Sequence, residues 1–251
     1  YNICGLSHNI KVFSSFKSLC EDLVDEWFEG ANQALNKQTT FNLGLSGGNT
    51  PRNVFQHLPE FEKWKRIPWD IVHIFWVDER CVKPDHSESN FRLAYNLILK
   101  DLSIPGGNIH RIHGENDPIA EADRYAGELK KHFAPGRGQN PGFDWIFLGV
   151  GADGHTASIF PGSILASSTS PLCGVATHPE TGQNRISISL PVINAAKRIT
   201  VIVSGQDKAT IVSRILNPPL ENCDLPAGKI RPLTGNVEWA LDEWAASQLE
   251  K

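Results

Sequence analysis

Ile71-Val-His-Ile-Phe-Trp-Val77 is an almost unbroken run of apolar, β-branched and aromatic residues. A run of that length and composition reads as a strand covered on both faces, which is the habit of a parallel sheet. Phe143 to Val150 repeats the pattern and runs into a glycine-rich turn, and Thr40-Phe-Asn-Leu-Gly-Leu45 does so before a Ser-Gly-Gly turn. Arg185 to Leu190 and Arg198 to Ser204 read as further strands. Helical spacing fills the intervals, from Phe16 to Leu35 behind serines placed to cap it, then Phe91 to Leu99, Ala120 to Phe133 and Asp207 to Leu216. Pro51 opens one more helix, because its fixed φ suits a first turn. Buried strands alternating with helices predict an α/β fold, a mostly parallel twisted sheet flanked by helices and Rossmann-like. No internal repeat or long linker interrupts the pattern, so residues 1–251 are expected to form a single domain.

Composition narrows the function classes. Forty per cent of residues are hydrophobic and 21% charged, enough to build a sizeable core. The 24 Lys and Arg against 28 Asp and Glu leave a net charge of −4 with no basic stripe, which argues against a nucleic-acid binder. No apolar stretch approaches the ~18 residues of a membrane span. The first residues, YNICGLSHNI, have neither a basic n-region nor an apolar h-region, so no secretory signal is expected. Five cysteines, Cys4, Cys20, Cys81, Cys173 and Cys223, are odd in number and contain no C-x-x-C, which predicts reduced thiols. No H-E-x-x-H or comparable ligand spacing occurs, so no metal is expected. Two small-residue loops, 135–142 and 163–171, are expected to be the mobile ones.

In an open parallel sheet, ligands bind beyond the carboxyl ends of the strands, and three predicted strand ends carry unusual chemistry. Gly44-Leu-Ser-Gly-Gly48 matches the G-x-S-x-G nucleophile elbow, and the order Ser46, Asp78, His155 fits the corresponding triad. The following Asn49-Thr50-Pro51 suits a second reading, a phosphate cradle. There, backbone N–H groups of Ser46, Gly47, Gly48, Asn49 and Thr50 meet an anion, with hydroxyls at Ser46 and Thr50. A purely structural turn is the third. Gly149-Val-Gly-Ala-Asp-Gly154 matches the dinucleotide fingerprint, but no acidic residue lies between Asp153 and Glu180 to hold a ribose, so no nicotinamide cofactor is expected. His155 follows that turn among glycines at a buried strand end, where an imidazole can take a proton from water at neutral pH. By contrast His8, His57, His110, His113, His132 and His178 read as packing or surface residues. Asp78-Glu-Arg80 is either a charged exposed turn or an anion site in which Arg80 binds and Asp78 or Glu79 orients a donor. Lys208 sits where a strand gives way to a helix, as a point charge for the same anion or as a solvated lysine.

Leu45-Ser-Gly-Gly-Asn-Thr-Pro51, Trp76-Val-Asp-Glu-Arg80 and Gly149-Val-Gly-Ala-Asp-Gly-His-Thr-Ala-Ser-Ile-Phe-Pro-Gly162 together resemble the glucosamine-6-phosphate deaminase/6-phosphogluconolactonase family. The likeness continues through Asp85-His-Ser-Glu-Ser-Asn-Phe91, Gly205-Gln-Asp-Lys208 and Gly235-Asn-Val-Glu-Trp239. After Asp-Gly-His the deaminases typically continue Ile-Ala-Phe-Asn-Glu-Pro, whereas this chain has Thr-Ala-Ser-Ile-Phe-Pro, which places the resemblance with the lactonases. Val150 stands where that family usually has methionine. The resemblance implies the fold shared with those deaminases and related to ribose-5-phosphate isomerases. It also implies hydrolysis of 6-phospho-D-glucono-1,5-lactone to 6-phospho-D-gluconate, the second step of the oxidative pentose phosphate pathway. His155 matches the general base. The glycine-rich loop, Arg80 and Lys208 match positions that hold the anionic substrate.

On that reading His155 activates water without a metal or other cofactor, and Asp78 orients donors near it. The oxyanion is received by Arg80 or by backbone N–H groups of the 149–156 turn, Gly151 among them. The expected partner is a small sugar phosphate, with no nucleic acid and no membrane, for a cytoplasmic monomer or homodimer. A serine esterase built on Ser46, an isomerase-deaminase and a non-catalytic sugar-phosphate sensor are the competing readings.

Overall fold

The computed structural model describes residues 9–134, 139–217 and 224–250. Cys4, Cys223, His8 and the first half of the 135–142 loop lie outside them. Seven parallel strands form the central sheet: β1 (Asn9–Phe13), β2 (Phe41–Leu45), β3 (Val72–Trp76), β5 (Ile109–His110), β6 (Trp145–Leu148), β9 (Arg198–Val203) and β10 (Asn236–Asp242), in the order β1-β10-β9-β6-β2-β3-β5. The expected parallel α/β sheet flanked by helices is thus present. Its helices include α1 (Phe16–Asn36), α2 (Asn49–His57), α3 (Glu62–Lys65), α4 (Asn90–Ala94), α5 (Pro118–Phe133), α6 (Leu190–Asn194) and α7 (Ala209–Leu216).

Local signals act as expected at several boundaries. Ser15 caps α1 by accepting from the Ser18 amide at 3.1 Å. Pro51 lies in the first turn of α2. The predicted helix from Phe91 to Leu99 is present, but its second half, Tyr95–Leu99, widens to a π-turn. Trp27 of α1 packs edge-on against Trp64 and Trp69 and stacks on Phe147 of β6, sealing that helix face to the sheet.

Two expectations change. Arg185 to Leu190 forms β8 (Asn184–Ile188), which joins not the parallel sheet but a small antiparallel one, in the order β4-β8-β7. Its partners are β7 (Cys173–Thr177) and β4 (Asp78–Arg80), so the Asp-Glu-Arg triplet is a strand and not an exposed turn. Asp78 and Glu79 are buried, at 4% and 2% exposure. The 163–171 loop is folded on itself around a short helical turn at Ile164–Ala166, with Leu165 fully buried. Cys20, Cys81 and Cys173 are free thiols, and burial pushes Cys20 up to about 12 and Cys81 up to about 11, far from a reactive thiolate.

The chain leaving β2 returns through β3 on one side, and the chain leaving β6 eventually returns through β9 on the other. The adjacent β2 and β6 therefore form a topological switch point, where a crevice opens at their carboxyl ends. On the β3 side, edge strand β5 pairs only with Ile74 and Phe75. The next residue, Trp76, has its amide and carbonyl satisfied by the Tyr125 hydroxyl of α5, which accepts at 3.1 Å and donates at 2.9 Å. Substituting Tyr125→Phe leaves both groups buried without a partner. Urea unfolding is expected to show a loss of about 1–3 kcal/mol; an unchanged midpoint would show that the hydroxyl does not hold this edge.

Candidate active site

A cleft of about 340 Å³ lies at the switch point. Its walls come from the turn after β2 (Ser46, Gly47, Gly48, Asn49, Thr50), from β4 (Asp78, Arg80), from the turn after β6 (Gly149, Val150, Gly151, His155) and from the end of β9 onward (Ser204, Asp207, Lys208). The structure thus brings every candidate residue of the sequence except Glu79 into one crevice. It adds Asn90 and Arg185.

His155 is held by its own turn. Asp153 Oδ1 accepts from the His155 amide at 3.1 Å and from ring Nδ1 at 2.6 Å. The ring also leans on Phe160, 4.8 Å between centroids. With its proton on Nδ1 facing a carboxylate, the imidazole keeps its lone pair on Nε2. Burial works to raise the Asp153 carboxyl, but the His155 amide and ring hold it below the usual carboxylate range. Gly151 makes this pairing possible: a Cβ there would fall 2.1 Å from His155 Nδ1 and 2.7 Å from Asp153 Oδ1. The sequence reading had Asp78 orienting donors near His155. The structure gives the orienting contact to Asp153, which the sequence showed only as a neighbour. Asp78 instead accepts from Ser158 Oγ at 2.6 Å and from Asn90 Nδ2 at 3.3 Å.

Three amides of the expected backbone oxyanion hole are engaged within the turn itself. The Gly151 amide donates to His155 O, that of Gly154 to Gly151 O, and that of His155 to Asp153. These amides are committed to shaping the turn, so Gly151 contributes space rather than a free donor. The nucleophile elbow is not assembled either, since the buried Ser46 Oγ has no hydrogen-bond partner among the described residues.

Positive charge is concentrated opposite. Arg80 and Arg185 are register partners across the β4–β8 ladder, and neither forms a salt bridge among the described residues. Arg80 Nη1 is steadied by Glu88 O at 2.6 Å. Burial and the neighbouring Arg80 press Arg185 below the usual arginine range, a strain that an anion between them relieves. Sequence reasoning missed Arg185 because it marked only a strand start; alternation along that strand puts it on the face shared with Arg80. Glu79 is not a donor-orienting group in the cleft. Its buried carboxylate receives the amides of Arg80, Asn90 and Phe91 and the Ser89 hydroxyl, at 2.7–3.0 Å, and so fastens the start of α4 beneath Arg80. Burial pushes its carboxyl up against these four donors.

At the turn after β2, Gly48 has φ +103°, open to glycine at little cost, and leads directly into α2. The first residues of that helix, Asn49 and Thr50, line the cleft, where a helix N-terminus favours negative charge.

The family described as glucosamine-6-phosphate isomerases/6-phosphogluconolactonase matches residues 14–239. The chain belongs to this family. A 6-phosphogluconolactonase of Aggregatibacter actinomycetemcomitans is 42% identical over 208 residues, 83% of this chain and 87% of the relative. One of Treponema pallidum is 38% identical over 224 residues, 89% and 90% of the two chains. A crystal structure of a protein named devB superposes with a TM-score of 0.90 at 41% identity, covering 97% of this chain and all of that one. Family membership thus agrees with the motifs at the three strand ends. No helix among the described residues is long and apolar enough to cross a membrane.

Because the lowered Asp153 carboxyl is charged above its titration, its pairing stabilises the fold at neutral pH, and that contribution is lost as pH falls through the carboxyl's own titration. A Gly151→Ala variant pushes ring and carboxylate apart. Carbon-13 NMR of the Asp153 carboxyl is expected to show its titration moving upward toward the ordinary range. An unshifted titration would mean that the pair survives without the glycine.

Proposed function

We propose that this chain hydrolyses 6-phospho-D-glucono-1,5-lactone to 6-phospho-D-gluconate, serving the oxidative pentose phosphate pathway in the cytoplasm. The observation that carries the reading is the Asp153–His155 pair facing two unpaired arginines and a helix N-terminus across one cleft. A base, an oxyanion donor and a seat for a remote phosphate are what lactone hydrolysis needs. The names of the relatives supply the substrate.

In this mechanism the substrate phosphate rests on the Ser46–Thr50 turn and the start of α2, with Lys208 as a counter-charge. His155 Nε2 takes a proton from water as the oxygen attacks C1, and the Asp153 carboxylate stabilises the imidazolium that forms. Charge moving onto the C1 oxygen is received by Arg80, since the Gly151, Gly154 and His155 amides are engaged elsewhere. The C1–ring oxygen bond then breaks, and His155 returns its proton to the leaving oxygen, which becomes the C5 hydroxyl. Binding of the phosphate, distant from C1, orients the lactone for attack. No step runs through a metal, and the chain acts on this small molecule alone, as a monomer or homodimer.

The test is acid release from freshly made lactone, measured against its spontaneous hydrolysis. His155→Ala is expected to lower kcat by about 10²–10⁴ while leaving 6-phosphogluconate binding largely intact. Lys208→Ala is expected mainly to weaken that binding, and chelator treatment to leave kcat unchanged. Ammonia from glucosamine 6-phosphate in place of acid release would move the protein to the deaminase branch. A His155→Ala enzyme with normal turnover would overturn the base.

A further inference from the structure

At the opposite, amino-terminal end of the same strands, three histidines from separate elements converge: His73 at the start of β3, His110 on edge strand β5 and His132 in the last turn of α5. One ring nitrogen of each lies within 4.8 Å of the other two, and His73 Nδ1 is 2.9 Å from His110 Nε2. No sequence spacing announced them, since 37 residues separate the first two and 22 the last two, and His110 and His132 had read as isolated packing or surface residues.

Two of the rings are oriented from behind. His110 Nδ1 donates to Glu128 Oε1 at 2.7 Å, which turns Nε2 toward His73. His132 Nε2 donates to Asn42 Oδ1 at 2.7 Å. The Asn42 amide is itself fixed, because its Nδ2 donates to Asp144 Oδ2 at 3.0 Å. His132 therefore keeps its lone pair on Nδ1. An imidazole whose outer nitrogen donates to a carboxylate or carbonyl is the arrangement that orients metal-binding histidines. Burial and the two neighbouring imidazoles push His73 down to about 4, and burial lowers His132 as well. Phe75 stacks on His110 at 4.1 Å and closes one side of the group. Glu128 and Asp144 stand behind it, each also paired with a cation, Arg124 and Lys197.

We propose that His73, His110 and His132 bind one divalent cation of the zinc class, which clamps edge strand β5 and helix α5 onto β3. Imidazole nitrogens suit this class of ion, and three of them with an open fourth position make a four-coordinate site. Zinc–nitrogen bonds of about 2.0–2.1 Å require the facing His73 and His110 nitrogens to part slightly and His132 to swing inward. His73 moves its single ring proton from Nδ1 to Nε2, so no net proton is released. The second cluster of possible ligands, Asp22, Glu26 and Glu238, is different in kind, because Lys11 and Arg198 already neutralise it.

The experiment titrates Zn²⁺ into untagged, chelator-stripped full-length chain, by calorimetry and by thermal melting. One ion per chain and a raised Tm are expected, and Co²⁺ in its place should give the intense visible absorption of a four-coordinate ion. His110→Gln and His132→Gln are expected to lose both the binding and the rise in Tm. Glu128→Gln should weaken zinc by about 10–100-fold, and His155→Gln should bind zinc as the parent chain does. Because the rise in Tm is read within each variant, a less stable variant still reports. No uptake at micromolar zinc would overturn the site, leaving a hydrogen-bonded packing cluster. Uptake that survives both glutamine variants but is lost in His155→Gln would place the ion in the cleft and overturn it equally.

Discussion

The reversal of chain direction between β2 and β6 is the constraint on which everything chemical here depends. Two neighbouring parallel strands whose chains depart to opposite sides leave their carboxyl ends uncovered by a shared crossover. Into that gap fall the amides that open α2 from one strand and the histidine turn from the other. Neither turn alone makes a cleft. Side by side they do, and the cleft follows from topology before any particular side chain is considered.

The third wall is built differently. Asp78 and Glu79 are carboxylates buried at the end of an apolar strand, a costly placement unless their oxygens are satisfied. Glu79 takes four donors from the start of α4 and from its own strand, and Asp78 takes Ser158 and Asn90. These contacts tie the small antiparallel sheet to the start of α4 and to the segment after the histidine turn. They also present Arg80 and Arg185 side by side with no salt bridge among the described residues, so the two guanidinium groups repel each other.

Much of this was legible in the residues. The apolar runs at 71–77 and 143–150, the helical spacing of α1 and α5 and the glycine-rich turns located the parallel sheet and the ends where the cleft lies. Other strands were hidden for physical reasons. β10 runs between β1 and β9, yet it carries Glu238, which reads as a surface residue until Lys11 and Arg198 are seen to neutralise it. β4 is three charged residues long, and β5 has only two residues. Neither length sustains a period. The ring contact expected of Asp78 falls to Asp153 for a similar reason, since both stand beside candidate site residues in the sequence and only the turn's geometry shows which one meets the ring.

The sequence by itself determined what depends on periodicity and on local backbone demands: the βαβ plan, the helix starts at Ser15 and near Pro51, and the glycines at 48 and 151 that leave room for a turn and a ring. Tertiary structure alone decided which charges meet. Arg80 lies 105 residues from Arg185 and pairs with it only because β4 and β8 run antiparallel, and three histidines from two strands and a helix face one another only because the sheet stacks their elements. Such encounters are set by register and packing across the whole chain, and no local spacing encodes them.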